Sequence, residues 1–96
     1  MQIKQLTAVV TGRVQGVGFR YFIMRAAQKL ELCGWVRNRA SGEVEVVAQG
    51  PMPALQQLLR QVRQGPPSAH VLSVAVQYHD PNPRLHDFEL KPTAYV

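Results

Sequence analysis

The sequence has little cysteine, little acid and no long apolar run, and each of these scarcities excludes a class of protein. Cys33 is the single cysteine among 96 residues, so no disulfide can form within the chain. We therefore expect a reducing, cytoplasmic environment, with Cys33 as a small apolar residue of a strand. No apolar stretch reaches the roughly 20 residues of a membrane span, and the N-terminus does not resemble a signal peptide. We expect no membrane partner.

Histidine and acidic residues are also too sparse to suggest a metal site or a catalytic triad. His70 and His79 are an odd number of positions apart on one predicted strand, so their side chains would point to opposite faces. His86 belongs to another segment, and no Ser-His-Asp arrangement or dinucleotide fingerprint is visible. Glu43 and Glu45 alternate along a strand as solvent-facing acids do. We expect no metal and no other cofactor.

Basic residues are in excess, and this excess favours an anionic partner. Eleven Lys and Arg stand against six Asp and Glu, for a net charge of +5. The charge alone does not distinguish a small phosphate ester from a nucleic acid, and no dense basic run is present. An apolar fraction of 46% is ordinary for a globular protein, and the length suits one domain spanning residues 1–96.

The hydrophobic periodicity predicts five strands and two helices. β-branched alternation marks strands at about 3–14, 34–38, 43–49, 69–79 and 87–90, and helical spacing marks helices at about 19–30 and 51–64. In the fourth strand, Leu72, Val74, Val76 and Tyr78 are predicted to share one face. The order βαββαβ plus a terminal edge strand predicts an α+β, ferredoxin-like split βαβ sandwich. Both helices would cover one face of an antiparallel sheet.

The stretch from Gly12 to Arg20, between the first strand and the first helix, is rich in glycine. Its glycines permit positive φ, and the helix begins without a Ser, Thr, Asp or Asn cap. Open N–H groups at a helix start, together with the helix dipole, favour an anion, and the Arg20 guanidinium can grip two oxygens. We call the predicted phosphate-binding residues the anion cradle: Gln15, Gly16, Val17, Gly18, Phe19 and Arg20.

The predicted topology brings Arg20 and Asn38 to one edge of the sheet. In a split βαβ unit the first two strands are parallel and the third lies between them, roughly 10 Å separating the outer backbones. Each residue also has a purely structural interpretation, because a first-turn Arg is usually solvated and an Asn before a turn usually bonds its own backbone. We predict that the two side chains meet over one phosphate and one water.

The same residues carry a family resemblance. The run GRVQGVGFR, ending in Arg20, resembles the phosphate-binding signature of the acylphosphatases, and GWVRN, ending in Asn38, followed by SGEVE, resembles their second signature. The match continues through Gly65-Pro66-Pro67 and the strand at Val71, so it covers nearly the whole chain. Ser41 stands where many members carry Asp, at a position that shapes a turn.

The resemblance implies a small, free-standing, monomeric enzyme that hydrolyses acyl phosphates to carboxylate and inorganic phosphate. It implies that Arg20 and Asn38 are catalytic, that the anion cradle holds the phosphate, and that Asn38 orients the attacking water. The chemistry agrees, because a carboxylate leaves readily and phosphoryl transfer depends chiefly on positioning and charge stabilisation.

Two alternatives remain at this point. A single-stranded RNA-binding module would display aromatics such as Trp35, Tyr78 and Phe88 on the open face of the sheet, but the central strand at 43–49 has none. The other is a non-catalytic domain that binds phosphate or carbamoyl phosphate. The similar domains of carbamoyl-phosphate-using hydrogenase maturation proteins, which serve larger machines, usually have proline directly after the signature arginine. Tyr21 occupies that position here, which favours the enzyme.

Overall fold

The computed structural model describes residues 2–95, so Met1 and Val96 of the predicted domain lie outside it. The elements follow one another in the predicted order. They are β1 (Ile3–Arg13), α1 (Phe19–Lys29), β2 (Cys33–Asn38), β3 (Val44–Pro51), α2 (Met52–Gln64), β4 (His70–His79) and β5 (Phe88–Leu90). Neither helix is long and apolar enough to cross a membrane.

The strands form one sheet in the order β4-β1-β3-β2-β5. β1 and β2 each pair antiparallel with β3, so they run parallel to each other on its two sides. This arrangement confirms the predicted ferredoxin-like topology. The short β5 is an edge strand, as predicted, but it pairs parallel to β2, so the five-stranded sheet is mixed rather than wholly antiparallel.

The core lies between one face of the sheet and the two helices. Alternate residues of β1, namely Leu6, Ala8 and Val10, are completely buried and carry the core face of the sheet. The helices pack against this face with their apolar stripes: Phe19, Ile23, Ala27, Leu55, Leu58 and Val62. Both helices therefore cover the same face, which confirms the prediction and leaves the other face open.

The open face lacks two of the three aromatics that an RNA-binding interpretation requires. Tyr78 lies opposite Leu6 in the β1–β4 pairing, so its side chain is on the core face. Phe88 is buried in the core. Trp35 is the one of the three that lies on the open face, because it alternates with the buried Val36. The structure thus offers no aromatic stacking platform formed by these residues.

One predicted orientation is wrong. The pairing of β4 with β1 shifts between Thr11, which lies opposite Ser73, and Gly12, which lies opposite Val71. Leu72 is the extra residue of this bulge, and it is 71% exposed instead of sharing the core face with Val74. A bulge inserts one residue and so reverses the alternation on one side of it.

Candidate active site

The loop of residues 14–18 joins β1 to α1 and leaves its backbone donors unused. Gly16 and Gly18 adopt positive φ angles of 73° and 77°, which a residue with a Cβ rarely adopts. Gly18 is the N-cap of α1 and provides no side-chain cap, and the first turn has no acidic residue. Within residues 2–95, no backbone N–H of residues 15–20 donates a hydrogen bond. The predicted uncapped helix start is confirmed.

Arg20 is held by the chain that follows β5. Its Nη1 donates to the carbonyl oxygen of Lys91 at 3.0 Å. We call residues 91–94 the C-terminal segment. This segment runs beside β2, because Lys91 N donates to Val36 O and Ala94 N donates to Asn38 O, each at 2.9 Å. The guanidinium of Arg20 and the backbone of Asn38 thus both contact the same short segment.

Asn38 ends β2 at the sheet edge where the loop of residues 14–18 emerges. Val44 of β3 lies opposite Val10 on one side and opposite Asn38 on the other, so β1 and β2 reach that edge at the same level. Asn38 is two residues beyond the buried Val36, so its side chain is on the core face, where α1 also lies. Arg20 and Asn38 therefore share one edge and one face, while the meeting of their side chains over a phosphate stays a prediction.

Gln15 has a structural role that the sequence does not reveal. Its side-chain amide donates to the carbonyl oxygens of Arg39 and Glu43, at 2.7 and 2.9 Å. These two carbonyls belong to the β2–β3 hairpin, directly after Asn38. We call this pair of hydrogen bonds the Gln15 bridge. No local motif could have indicated it, because the acceptors are backbone atoms and any residue provides them.

Glu43, just before β3, and Glu45, within it, are paired with arginines on the open face. The Glu45 carboxylate accepts from Arg37 Nε at 2.7 Å and from Arg39 Nη2 at 3.1 Å, while Glu43 lies 3.4 Å from Arg39 Nη1. Burial by itself would raise the pKa of Glu45, but the hydrogen bonds from Arg39 and Arg37 outweigh it and lower that pKa. These carboxylates stabilise the hairpin, and Ser41 Oγ donates to Glu43 within the turn.

Two further side chains of β2, Trp35 and Cys33, have structural roles and no catalytic one in this interpretation. Trp35 contacts two cations, with Arg37 at 4.6 Å and Lys91 at 4.8 Å from the ring centroid. The contact with Lys91 fixes the start of the C-terminal segment. Burial raises the pKa of the Cys33 thiol, which agrees with its predicted role as a strand residue and not with a reactive thiolate.

A groove of about 560 Å³ lies between α1 and α2 rather than at the cradle. Gly18 is at one end of it, and Tyr21, Arg25 and Lys29 line its α1 side. Arg20 points away from this groove, since its guanidinium reaches the C-terminal segment beside β2. The groove is therefore separate from the edge that carries Asn38.

Comparison with known proteins agrees with the fold. The family model for acylphosphatases matches residues 6–90. An acylphosphatase of Koribacter versatilis is 48% identical over 85 residues, which is 88% of this chain and 77% of that protein. The crystal structure of the acylphosphatase from Bacillus subtilis superposes with a TM-score of 0.89 at 42% identity, covering 92% of this chain and 98% of that one.

A larger protein contains a similar domain. Full-length HypF, crystallised in a phosphate- and nucleotide-bound form, matches with a TM-score of 0.86 at 30% identity. The match covers 96% of this chain but only 12% of HypF.

A ferredoxin-like sandwich with an uncapped, glycine-bounded helix start, at the edge where the parallel strands β1 and β2 end, defines a class of small α+β domains. Within that class, this chain belongs to the acylphosphatase family. It is an enzyme that hydrolyses acyl phosphates, and its substrates are small molecules.

Proposed function

We propose that the anion cradle and Arg20 hold the phosphoryl group of an acyl phosphate while Asn38 orients the water that attacks it. The observation that carries this proposal is the set of unused N–H donors of residues 15–20 beside a guanidinium already anchored on Lys91 O. A guanidinium that donates one hydrogen bond to a carbonyl has its plane held in one orientation, and its other N–H groups remain available to bind oxyanions.

Arg20 would otherwise be poorly placed. A cation in the first turn of a helix lies at the positive end of the helix dipole, which costs free energy unless an anion lies between them. A bound phosphate dianion removes this cost, because it accepts hydrogen bonds from the backbone amides and from the guanidinium at once. The same donors stabilise the phosphoryl oxygens as charge is redistributed in the transition state.

The reaction needs no strong acid or base from the protein. The water oxygen forms a bond to phosphorus as the bond between phosphorus and the acyl oxygen breaks, and the carboxylate leaves with the electron pair. A proton of the water passes to a phosphoryl oxygen, so the products are a carboxylate and dihydrogen phosphate. The Asn38 amide can accept a hydrogen bond from the water and donate one to it, so that the water is held in line with the leaving group.

Residues 1–96 act in this proposal as one monomeric domain in the cytoplasm. The lone Cys33 supports the compartment, because proteins of oxidising compartments commonly pair their cysteines. Turnover rather than mere phosphate binding is favoured by the similarity to free-standing acylphosphatases over nearly their full length, such as the 98% coverage of the Bacillus subtilis chain.

Release of phosphate from benzoyl phosphate and acetyl phosphate tests these roles. We expect Arg20→Ala to lower kcat/KM at least about 100-fold, because it removes a charged donor to the phosphoryl oxygens. We expect Asn38→Ala to lower kcat on the order of 100-fold with KM within about threefold, because only the water loses its position.

Arg25→Ala is the matched control for Arg20, since Arg25 is an exposed arginine on the groove side of the same helix. It is expected to keep the wild-type rate. Folded Arg20→Ala and Asn38→Ala variants that hydrolyse both substrates as fast as the wild type would show that the roles are wrongly assigned.

A further inference from the structure

We propose that Gln15 is a positioning residue for the reaction, which sets the distance between the anion cradle and Asn38 through the Gln15 bridge. The inference rests on the roles proposed above for the cradle and for Asn38. One side-chain amide joins the two halves of the site, which are the anion cradle after β1 and Asn38 at the end of β2.

The topology makes such a connection necessary. β1 and β2 are not hydrogen-bonded to each other, because β3 lies between them. Within the sheet, a loop after β1 and a residue at the end of β2 are therefore related only through β3, and the direct link between them has to come from a side chain. In-line attack on phosphorus tolerates little change in this distance, since a displacement of about 1 Å can cost 100-fold in rate.

The Gln15 bridge meets this need directly. Both N–H donors of the amide are used, on Arg39 O at 2.7 Å and on Glu43 O at 2.9 Å. Arg39 follows Asn38 in the chain, so its carbonyl moves with the end of β2. Glu43 O also accepts from Arg39 N at 2.8 Å, so the bridge holds a hairpin that is already closed.

Other contacts of the loop do not replace the bridge. Among the described residues, the other hydrogen bond made by residues 14–18 outside the strands is Phe22 N to Gly18 O, which belongs to α1. Val14 is buried in the core and holds the start of the loop. Val17 packs against the core, and Arg20 reaches the C-terminal segment beside Asn38, but neither joins the loop directly to the hairpin after Asn38. The glycines at 16 and 18 give the loop backbone freedom, which the Gln15 bridge limits.

Gln15→Met tests the inference, because methionine has a similar length and no donors. We expect kcat for benzoyl phosphate to fall roughly 10- to 100-fold, with KM and the inhibition constant of inorganic phosphate within about threefold. Gln15→Asn, whose amide is one methylene shorter, is the second variant and is expected to lose kcat in the same way.

Gln49→Met is the matched control. Gln49 also ties a loop to the sheet with two side-chain hydrogen bonds, donating to Asn82 O at 3.1 Å and accepting from Asn82 N at 2.7 Å. It lies opposite Gln5 near the other end of β3, away from Asn38. If the bridge acted only on stability, the two methionine variants would lose stability and keep kcat alike; a kcat loss confined to Gln15 supports positioning.

A double-mutant cycle with Asn38→Ala distinguishes positioning of Asn38 from a purely structural role of Gln15. In the Asn38→Ala background, Gln15→Met is expected to lower kcat by less than about threefold, since the residue through which it acts is gone. Fully multiplicative effects would overturn the inference. A slow Asn38→Ala variant with an unimpaired Gln15→Met variant would overturn it alone, whereas an unimpaired Asn38→Ala variant would overturn the proposed function as well.

Discussion

Gly34 in β2 and Gly18 at the start of α1 are required for different physical reasons. Gly34 has φ of 137°, and a Cβ built on it would lie 1.9 Å from the carbonyl oxygen of Val47, which is backbone of the neighbouring strand. Gly18 has φ of 77°, but a Cβ there would meet nothing within 4 Å. Gly34 is thus required for close approach as well as for conformation, and Gly18 for conformation alone.

Alanine substitutions at Gly34 and Gly18 distinguish the requirement for close approach from the requirement for a positive φ angle. We expect Gly34→Ala to lower the free energy of unfolding by about 3 kcal/mol or more, because the β2–β3 pairing must open to admit the methyl group. Gly18→Ala should cost only about 1–2 kcal/mol, the strain of a left-handed residue with a Cβ. Urea denaturation of both variants measures the difference, and equal costs would contradict the assignment.

The β2–β3 hairpin is the element that links Asn38 to the rest of the molecule, and ion pairs stabilise it on the open face. Glu45, with a side chain 15% exposed, accepts from both Arg37 and Arg39. Its pKa in the folded protein lies below the ordinary value of 4.5. A lowered carboxyl pKa contributes stability that is complete above the unfolded value and is lost as the pH falls through the folded value.

Acid should therefore weaken the wild type more than a variant that lacks this carboxylate. Between about pH 5 and about pH 3, we expect the free energy of unfolding of the wild type to fall more steeply than that of Glu45→Gln. Denaturation with urea at several pH values in this range gives both curves. Curves that stay parallel would mean that Glu45 does not titrate differently in the folded and unfolded states.

The β-bulge in edge strand β4 turns the Leu72 side chain toward solvent. We expect Leu72→Ala to change the free energy of unfolding by no more than about 0.5 kcal/mol, because this leucine faces solvent. The same substitution at Leu55, which is completely buried in α2, should cost about 2–5 kcal/mol. Thermal or urea denaturation compares them; a large cost at position 72 would place Leu72 in the core after all.

At the scale of the whole molecule, charge and ligand binding affect every element together. The net charge of +5 attracts anions in general, whereas the anion cradle and Arg20 provide one place where a phosphate dianion is bound by oriented donors. A ligand that binds only the folded state raises the stability of the entire domain by mass action.

Inorganic phosphate should accordingly raise the melting temperature. At ten times its Kd it stabilises the folded state by about 1.4 kcal/mol, which is roughly 5–10 °C in Tm for a domain of this size. Chloride at the same ionic strength is the control for general screening, and Arg20→Ala should abolish most of the shift. An equal shift with chloride, or in the Arg20→Ala variant, would contradict binding at the cradle.

Most of the fold could be predicted because its signals are local. The alternation in β1, the helical stripe of α1 and the glycines around position 16 each lie within one element, so their period and conformation are visible in the sequence. The position of Leu72 could not be predicted, because a bulge depends on how two distant strands pair. The mixed sheet has the same cause, since the direction of β5 follows from its pairing with β2.

The sequence by itself determined the order of the elements, the core face of the sheet and the uncapped helix start, since these follow from periodicity and from residues that are adjacent in the chain. Only the tertiary structure decided what holds the site together. Gln15 contacts residues 24 and 28 positions away, and Arg20 contacts one 71 positions away. In each contact the acceptor is a backbone carbonyl, which every residue possesses, so its partner is selected by the folded geometry and leaves no mark in the sequence.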